Sequence, residues 1–144
     1  MAIKQISVFL ENKPGTLLKM TGVLAKSKID MRALSLAETK DFGIVRMIVH
    51  DIDAASDALK EGDFISSMTD VVAVQIPDET GGLDQVLHVL NDAQVNIEYM
   101  YAFLGSSGEE GAYMIFRVGD CKAAEEALSK RGIKVVTQEE IAKL

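Results

Sequence analysis

The chain carries one segment twice. Residues 6–38 read ISVFLENKPGTLLKMTGVLAKSKIDMRALSLAE, and residues 72–104 read VAVQIPDETGGLDQVLHVLNDAQVNIEYMYAFL. The two align without a gap at an offset of 66, which puts Gly15 on Gly81, Leu17 on Leu83, Leu24 on Leu90 and Asp30 on Asn96. Past a hairpin the offset becomes 69, and Met47-Ile48-Val49, Ala54-Ala55 and Leu59 fall on Phe116-Arg117-Val118, Ala123-Ala124 and Leu128. A repeat fixes the architectural unit, and two copies are too few for a solenoid. The sequence therefore predicts two similar small domains, 1–69 and 70–144. Each half has only about 70 residues, a size at which a single core is marginal, so the halves are expected to share a core or an interface.

Hydropathy and charge narrow the function classes. Hydrophobic residues make up 48% of the chain and prolines number two, which marks a folded rather than a disordered protein. Net charge is −7 and no basic run exceeds two residues, so nucleic acid is not an expected partner. No apolar run is long enough to span a bilayer, and a membrane partner is not expected either. The opening stretch MAIKQISVFLENK enters a strand pattern at once rather than reading as a secretion signal. Cys121 is the only cysteine, which excludes an intrachain disulfide and fits a reducing, cytoplasmic setting.

Periodicity gives the same element order in each half. Ile6, Val8 and Leu10 alternate onto one face of a strand from about residue 3 to 10. Pro14-Gly15 breaks the strand, and Leu17, Met20 and Leu24 then recur at helical spacing to about Lys28, which predicts all three as core. Strands follow at 30–38, with Leu34 and Leu36 facing the helices, and at 42–50. A short helix is capped by Asp53 and stops at Gly62, and a strand runs over 64–68. The second half predicts strands at 71–77, 96–104, 112–118 and 133–137, helices at 83–94 and 121–131, and a closing helix from about Gln138. Leu83, Val86 and Leu90 are its predicted helical core. The link, Thr69-Asp70, is very short. The order β-α-β-β-α-β, twice, is that of an α+β ferredoxin-like sandwich, an antiparallel sheet with helices on one face.

At the first strand-to-helix turn the chain reads Glu11-Asn12-Lys13-Pro14-Gly15-Thr16-Leu17. In this topology the stretch resembles the ACT domain, a small regulatory module of amino-acid metabolism. The second strand of that module opens on a residue such as Asn followed by Ile, and Asp30-Met31 and Asn96-Ile97-Glu98 hold that place here. The second turn, Asp78-Glu79-Thr80-Gly81-Gly82-Leu83, has Thr80 where proline is usual but keeps the glycine. The resemblance covers nearly the whole chain, with no catalytic domain attached. It implies a free amino acid bound where two modules meet, with the turn of one against the second strand of the other. Asn12, Lys13, Pro14, Gly15, Thr16 and Leu17 would then work with Asn96, Ile97 and Glu98. The mirror set is Asp78, Thr80, Gly81, Gly82 and Leu83 with Asp30 and Met31.

The chemistry of these residue types is compatible with that role. A glycine lets backbone approach a ligand, a helix N-terminus suits a carboxylate, and a side-chain amide both donates and accepts, as a zwitterion requires. Turn and cap chemistry favours Asn, Asp and Gly in any case, so both roles stay open. Two aspartates in one cleft repel each other, which makes the Asn12 side the preferred site.

Other features carry less. The glycines of 105–111 lack a phosphate-loop ending and predict a longer hairpin. Cys121 sits at a helix start, where a thiol can be acidified, but has no basic partner. His50 and His88 lack further ligands at metal spacing. No cofactor, metal site or catalytic cluster is expected. The strand faces turned away from the helices differ between repeats. Tyr99, Tyr101, Phe103, Tyr113 and Ile115 stand where the first repeat has Ala33, Ser35, Ala37, Ile44 and Arg46. An aromatic face of this size predicts a covered surface, and a homodimer would supply the cover. The set Val72, Val74, Met100, Met114 and Phe116 is predicted to face the helices.

These readings converge on a non-catalytic, amino-acid-binding regulatory or sensor protein. Two alternatives remain. One is a regulatory subunit of a biosynthetic enzyme, like the small subunit of acetolactate synthase. The other is a small enzyme on a ferredoxin-like fold.

Overall fold

The computed structural model describes residues 2–77, 79–103 and 112–143. The predicted hairpin at 105–111 and Asp78 lie outside these residues. The chain divides into two compact units, Lys4–Thr69 and Asp70–Leu144 with Met1–Ile3.

In the first unit β1 (Ile3–Glu11) turns Ile6, Val8 and Leu10 onto one face, and that face becomes core. The chain breaks at Pro14-Gly15, and α1 (Thr16–Lys26) buries Met20 and Leu24 against the same face. β2 (Met31–Glu38) and β3 (Phe42–Val49) form a hairpin closed where Thr39 N–H donates to the Phe42 carbonyl at 2.8 Å. β3 lies between β1 and β2, antiparallel to both, with Val8 opposite Val45 and Leu34 opposite Met47. α2 (Ile52–Glu61) closes the core with Ala55 and Leu59. Its cap is Asp51, not the predicted Asp53. Asp51 holds an extended backbone and its carboxylate accepts from Ala54 N–H at 3.1 Å, while Asp53 falls in the first helical turn. Asp120 caps the matching helix of the second repeat in the same way, accepting from Ala123 N–H at 3.0 Å.

A single strand, β4 (Ile65–Ile76), stands where the sequence predicts two strands and a link at Thr69-Asp70. No glycine or proline interrupts ISSMTDVVAVQI, and its β-branched residues favour extended backbone. In the second unit it is followed by α3 (Gly82–Asp92), β5 (Ile97–Ala102), β6 (Ala112–Val118), α4 (Cys121–Lys130), β7 (Val135–Val136) and α5 (Gln138–Lys143). The strand order is β7-β4-β6-β5, all antiparallel, which is the order of a ferredoxin-like sandwich. Val72, Val74 and Phe116 are buried with Val86, Leu90, Ala124 and Leu128, and Met100 and Met114 pack against them, so the predicted helix-facing set is the core.

Two expectations fail on burial. Leu17 and Leu83 are not core. They occupy the same place in the two repeats, in the first helical turn, and are 36% and 37% exposed. The tyrosine face is not open for a second copy. Tyr101 and Tyr113 are only 8% and 6% exposed within the single chain, and Ile115 is fully buried. Alternation assigned these residues to the correct face, but period-2 patterning carries no information on what covers a face. Tyr99 stacks on Tyr101 with centroids 6.5 Å apart, and Phe103 meets Tyr113 at 5.5 Å.

Candidate functional site

The turn between β1 and α1 is held by its own backbone. Asn12 N–H donates to the Asp41 carbonyl at 2.9 Å, tying the turn to the tip of the β2–β3 hairpin. The Thr16 hydroxyl lies 2.8 Å from the Glu11 carbonyl and 3.0 Å from that of Lys13. Gly15 takes the cap position in left-handed backbone at φ 90°, where a Cβ is disfavoured, and no side chain caps α1. The first-turn N–H groups of an uncapped helix look outward and favour an anion.

Two open clefts flank this turn, both within the first unit. One, of about 330 Å³, is lined by Leu10, Glu11, Asn12, Lys13, Thr16, Leu17, Leu36, Glu38 and Gly43. The other, of about 610 Å³, shares Leu10, Glu11, Lys13 and Thr16 with it and extends past Phe9, Pro14, Gly15, Lys19, Phe42, Phe64 and Ile65. Lys19 Nζ stands 5.9 Å from the centre of the Phe64 ring. In the smaller cleft Lys13 Nζ pairs with Glu11 at 2.8 Å, and the ammonium holds the Glu11 carboxyl below its ordinary range. The pair is exposed to solvent, so it orients both groups without locking them. The Asn12 amide has no hydrogen-bond partner among the described residues, and the Glu38 carboxylate has no ion pair among them.

The second turn is built differently. Gly81 repeats the left-handed cap at φ 86°. The next residue, Gly82, is buried with its Cα against the Pro77 carbonyl, and a Cβ there would lie 2.3 Å from that oxygen. Thr16 holds the matching place in the first repeat and ties its turn with a hydroxyl instead. Thr80 is exposed.

The starts of the second strands also differ. Asp30 is paired with Arg32 at 2.7 Å, and its backbone N–H donates to His50 Nδ1 at 3.0 Å. His50, which the sequence reading left without a role, positions this strand start. Asn96 is exposed with no side-chain partner among the described residues, while Glu98 pairs with Arg117 Nε at 3.1 Å. Met31 and Ile97 pack against the cores of their own units. Cys121 is half-buried, and burial pushes its thiol up rather than acidifying it, with Sγ 3.6 Å from the Asp70 carbonyl. Among the described residues no three His, Cys, Asp or Glu side chains converge as metal ligands, and no helix is long and apolar enough to cross a membrane.

The structure thus brings Asn12, Lys13, Thr16 and Leu17 to one cleft and adds Leu36, Glu38 and Gly43, which sequence reasoning missed. Strand register alone brings them there. The tight turn at Lys40-Asp41 pairs Gly43 with Glu38, and the separate pairing of β3 with β1 sets Gly43 opposite Leu10.

The sequence model of the family described as ACT domain pair matches residues 1–144. No curated protein matches the chain. Among solved structures, protein BT0572 from Bacteroides thetaiotaomicron is 40% identical, with 100% of this chain and 98% of that one covered and a TM-score of 0.92. The ligand-free regulatory subunit of aspartate kinase from Thermus thermophilus is 17% identical, covering 88% of this chain and 91% of that one, with a TM-score of 0.60. The aspartate kinase from Synechocystis is 18% identical, covering 94% of this chain and 26% of that one, with a TM-score of 0.57. At these lower identities the likeness is one of fold.

Proposed function

This chain belongs to the ACT domain pair family, and from that premise we propose that it is a non-catalytic regulatory protein that binds a free amino acid at the Asn12–Leu17 turn. The observation that carries the reading is the smaller cleft beside that turn, with an unengaged amide at Asn12 and charges of both signs at Lys13, Glu11 and Glu38. An amino acid is a zwitterion on an apolar or polar stem. Its carboxylate suits the uncapped start of α1 and the Lys13 ammonium, and its ammonium suits Glu38 or the Asn12 carbonyl oxygen. The size fits a single small metabolite, since about 300–1,000 Å³ is usual for small-ligand sites. The mirror turn is the weaker candidate. Asp30, which the resemblance assigns to that set, is already paired with Arg32, and the helix start at this turn is packed against Pro77.

Regulation follows from linkage. A ligand that contacts the turn more favourably in one arrangement of the protein shifts the population toward it by its differential affinity. The partner that reads the shift is a second copy of the chain or a biosynthetic enzyme. The aspartate kinase relatives carry the fold as a regulatory subunit or as part of a larger enzyme chain. Sedimentation with and without ligand distinguishes the first partner, and co-purification the second.

The test is titration calorimetry with the twenty amino acids. At least one is expected to bind selectively, and Asn12→Ala is expected to weaken it about tenfold, the loss of one or two hydrogen bonds at roughly 1 kcal/mol each. Asn96→Ala asks whether the second unit contributes. Heat from no amino acid, or unchanged affinity in Asn12→Ala, rejects the reading.

A further inference from the structure

We propose that the smaller cleft selects an amino acid with an aliphatic side chain, and that Gly43 sets the depth of the pocket receiving it. The inference rests on the amino-acid-binding reading and names its ligand class.

Three leucines make the case. Leu10 is the buried floor. Leu36 lies on the core-facing side of β2, opposite Val45, yet is 55% exposed. Leu17 overhangs from the first turn of α1. Exposed leucines scattered over a surface mean little, but Leu17 and Leu36 line one concavity with the buried Leu10, under a polar rim. Glu11, Asn12, Lys13, Thr16 and Glu38 form that rim. The arrangement mirrors an amino acid, with charges of both signs at one end and hydrocarbon at the other.

Gly43 keeps the hydrocarbon end open. It sits on β3 directly opposite Leu10, on the core-facing side. A Cβ at this position would lie 3.4 Å from Leu36 Cδ1 and 3.7 Å from the Ala37 carbonyl oxygen, so a methyl fits and anything larger takes up the space beside Leu36. The second repeat has Ile76 opposite Ala112 at the matching pair, so its corresponding position already carries a methyl. The ligand side chain would lie among the three leucines. A charged one of either sign would lose water against leucine, which is costly without a partner.

Titration calorimetry on the full chain with leucine, methionine, valine, alanine, aspartate and lysine tests this. Leucine or methionine is expected to bind at least tenfold tighter than alanine, since each methylene in an apolar pocket is worth about 10–200-fold. Aspartate and lysine are expected to bind more weakly than alanine. Gly43→Val is expected to lower leucine affinity at least tenfold while changing alanine affinity less than threefold. Leu36→Asn, at an exposed position that folding tolerates, is expected to bring the leucine-to-alanine ratio toward one. It decides the matter if Gly43→Val fails to fold by ligand-free melting. Amino-acid binding with no aliphatic preference, or leucine affinity untouched in a folded Gly43→Val, overturns the pocket and leaves the proposed function standing. No binding of any amino acid overturns both.

Discussion

Gly82→Ala is expected to destabilise the protein, and the structure gives the size of the effect. The added Cβ would stand 2.3 Å from the Pro77 carbonyl oxygen and 3.1 Å from Ile76 Cγ2. A carbon normally approaches a carbonyl oxygen no closer than about 3.3 Å, so the turn must open by roughly 1 Å. The obstacle is backbone, and no rotamer change relieves it. Overpacking of this kind costs about 1–3 kcal/mol. Replacing a helical glycine with alanine returns about 0.5–1 kcal/mol. The net is a loss of up to about 2.5 kcal/mol with a midpoint of about 1, or a fall in Tm of roughly 3–4 °C at that midpoint for a chain of this size. Gly22→Ala is the control. Gly22 lies within α1, exposed, with nothing within 4 Å of its would-be Cβ. It is expected to gain about 0.5–1 kcal/mol and raise Tm by about 2–3 °C. Differential scanning calorimetry on both variants in one buffer reads the two signs. If Gly82→Ala is as stable as the parent, or both variants move in the same direction, the close approach of the second turn to Pro77 is wrong.

Three further outcomes follow from local chemistry. Asp51→Ala and Asp120→Ala are each expected to cost about 1 kcal/mol in urea denaturation, with Asn at either position recovering most of it. At the start of α5, Glu140 accepts from Thr137 N–H at 2.8 Å and its own N–H donates to the Thr137 hydroxyl at 3.2 Å. The Thr137 backbone N–H and Lys134 hold the Glu140 carboxyl below its ordinary range, so its stabilisation is present above the usual glutamate pKa, roughly 4.3, and is lost as pH falls through the lowered one. Amide protection factors in α5, taken against the intrinsic exchange rate at each pH, are therefore expected to fall on acidification below that range, and Glu140→Gln is expected to show less of this change. Cys121 is expected to react with iodoacetamide more slowly than free cysteine at neutral pH, because burial keeps its thiol protonated.

The fold was legible because periodicity and repetition agree. Alternation at Ile6, Val8 and Leu10 and its echo at Val72, Val74 and Ile76 fixed the core faces of both repeats. What failed was information that a short window does not carry. Leu17 and Leu83 have helical spacing, but spacing alone does not set burial. Asp51 and Asp53 are both acceptable caps, and only backbone geometry chooses between them. Thr69-Asp70 falls inside the continuous strand Ile65–Ile76, whose sequence has no glycine or proline to interrupt it. At the candidate site the turn residues were legible from the Pro14-Gly15 break. Leu36, Glu38 and Gly43 were not, since they reach the cleft through strand register from the far end of a hairpin.

Amide chemical-shift mapping of isotopically labelled protein with leucine tests the central claim most directly. The account predicts that saturable shifts are largest at Asn12, Lys13, Thr16, Leu17, Glu38 and Gly43 and are lost in Asn12→Ala. Absence of saturable shifts with leucine and with every other amino acid, or shifts confined to residues away from the β1–α1 turn, would contradict it.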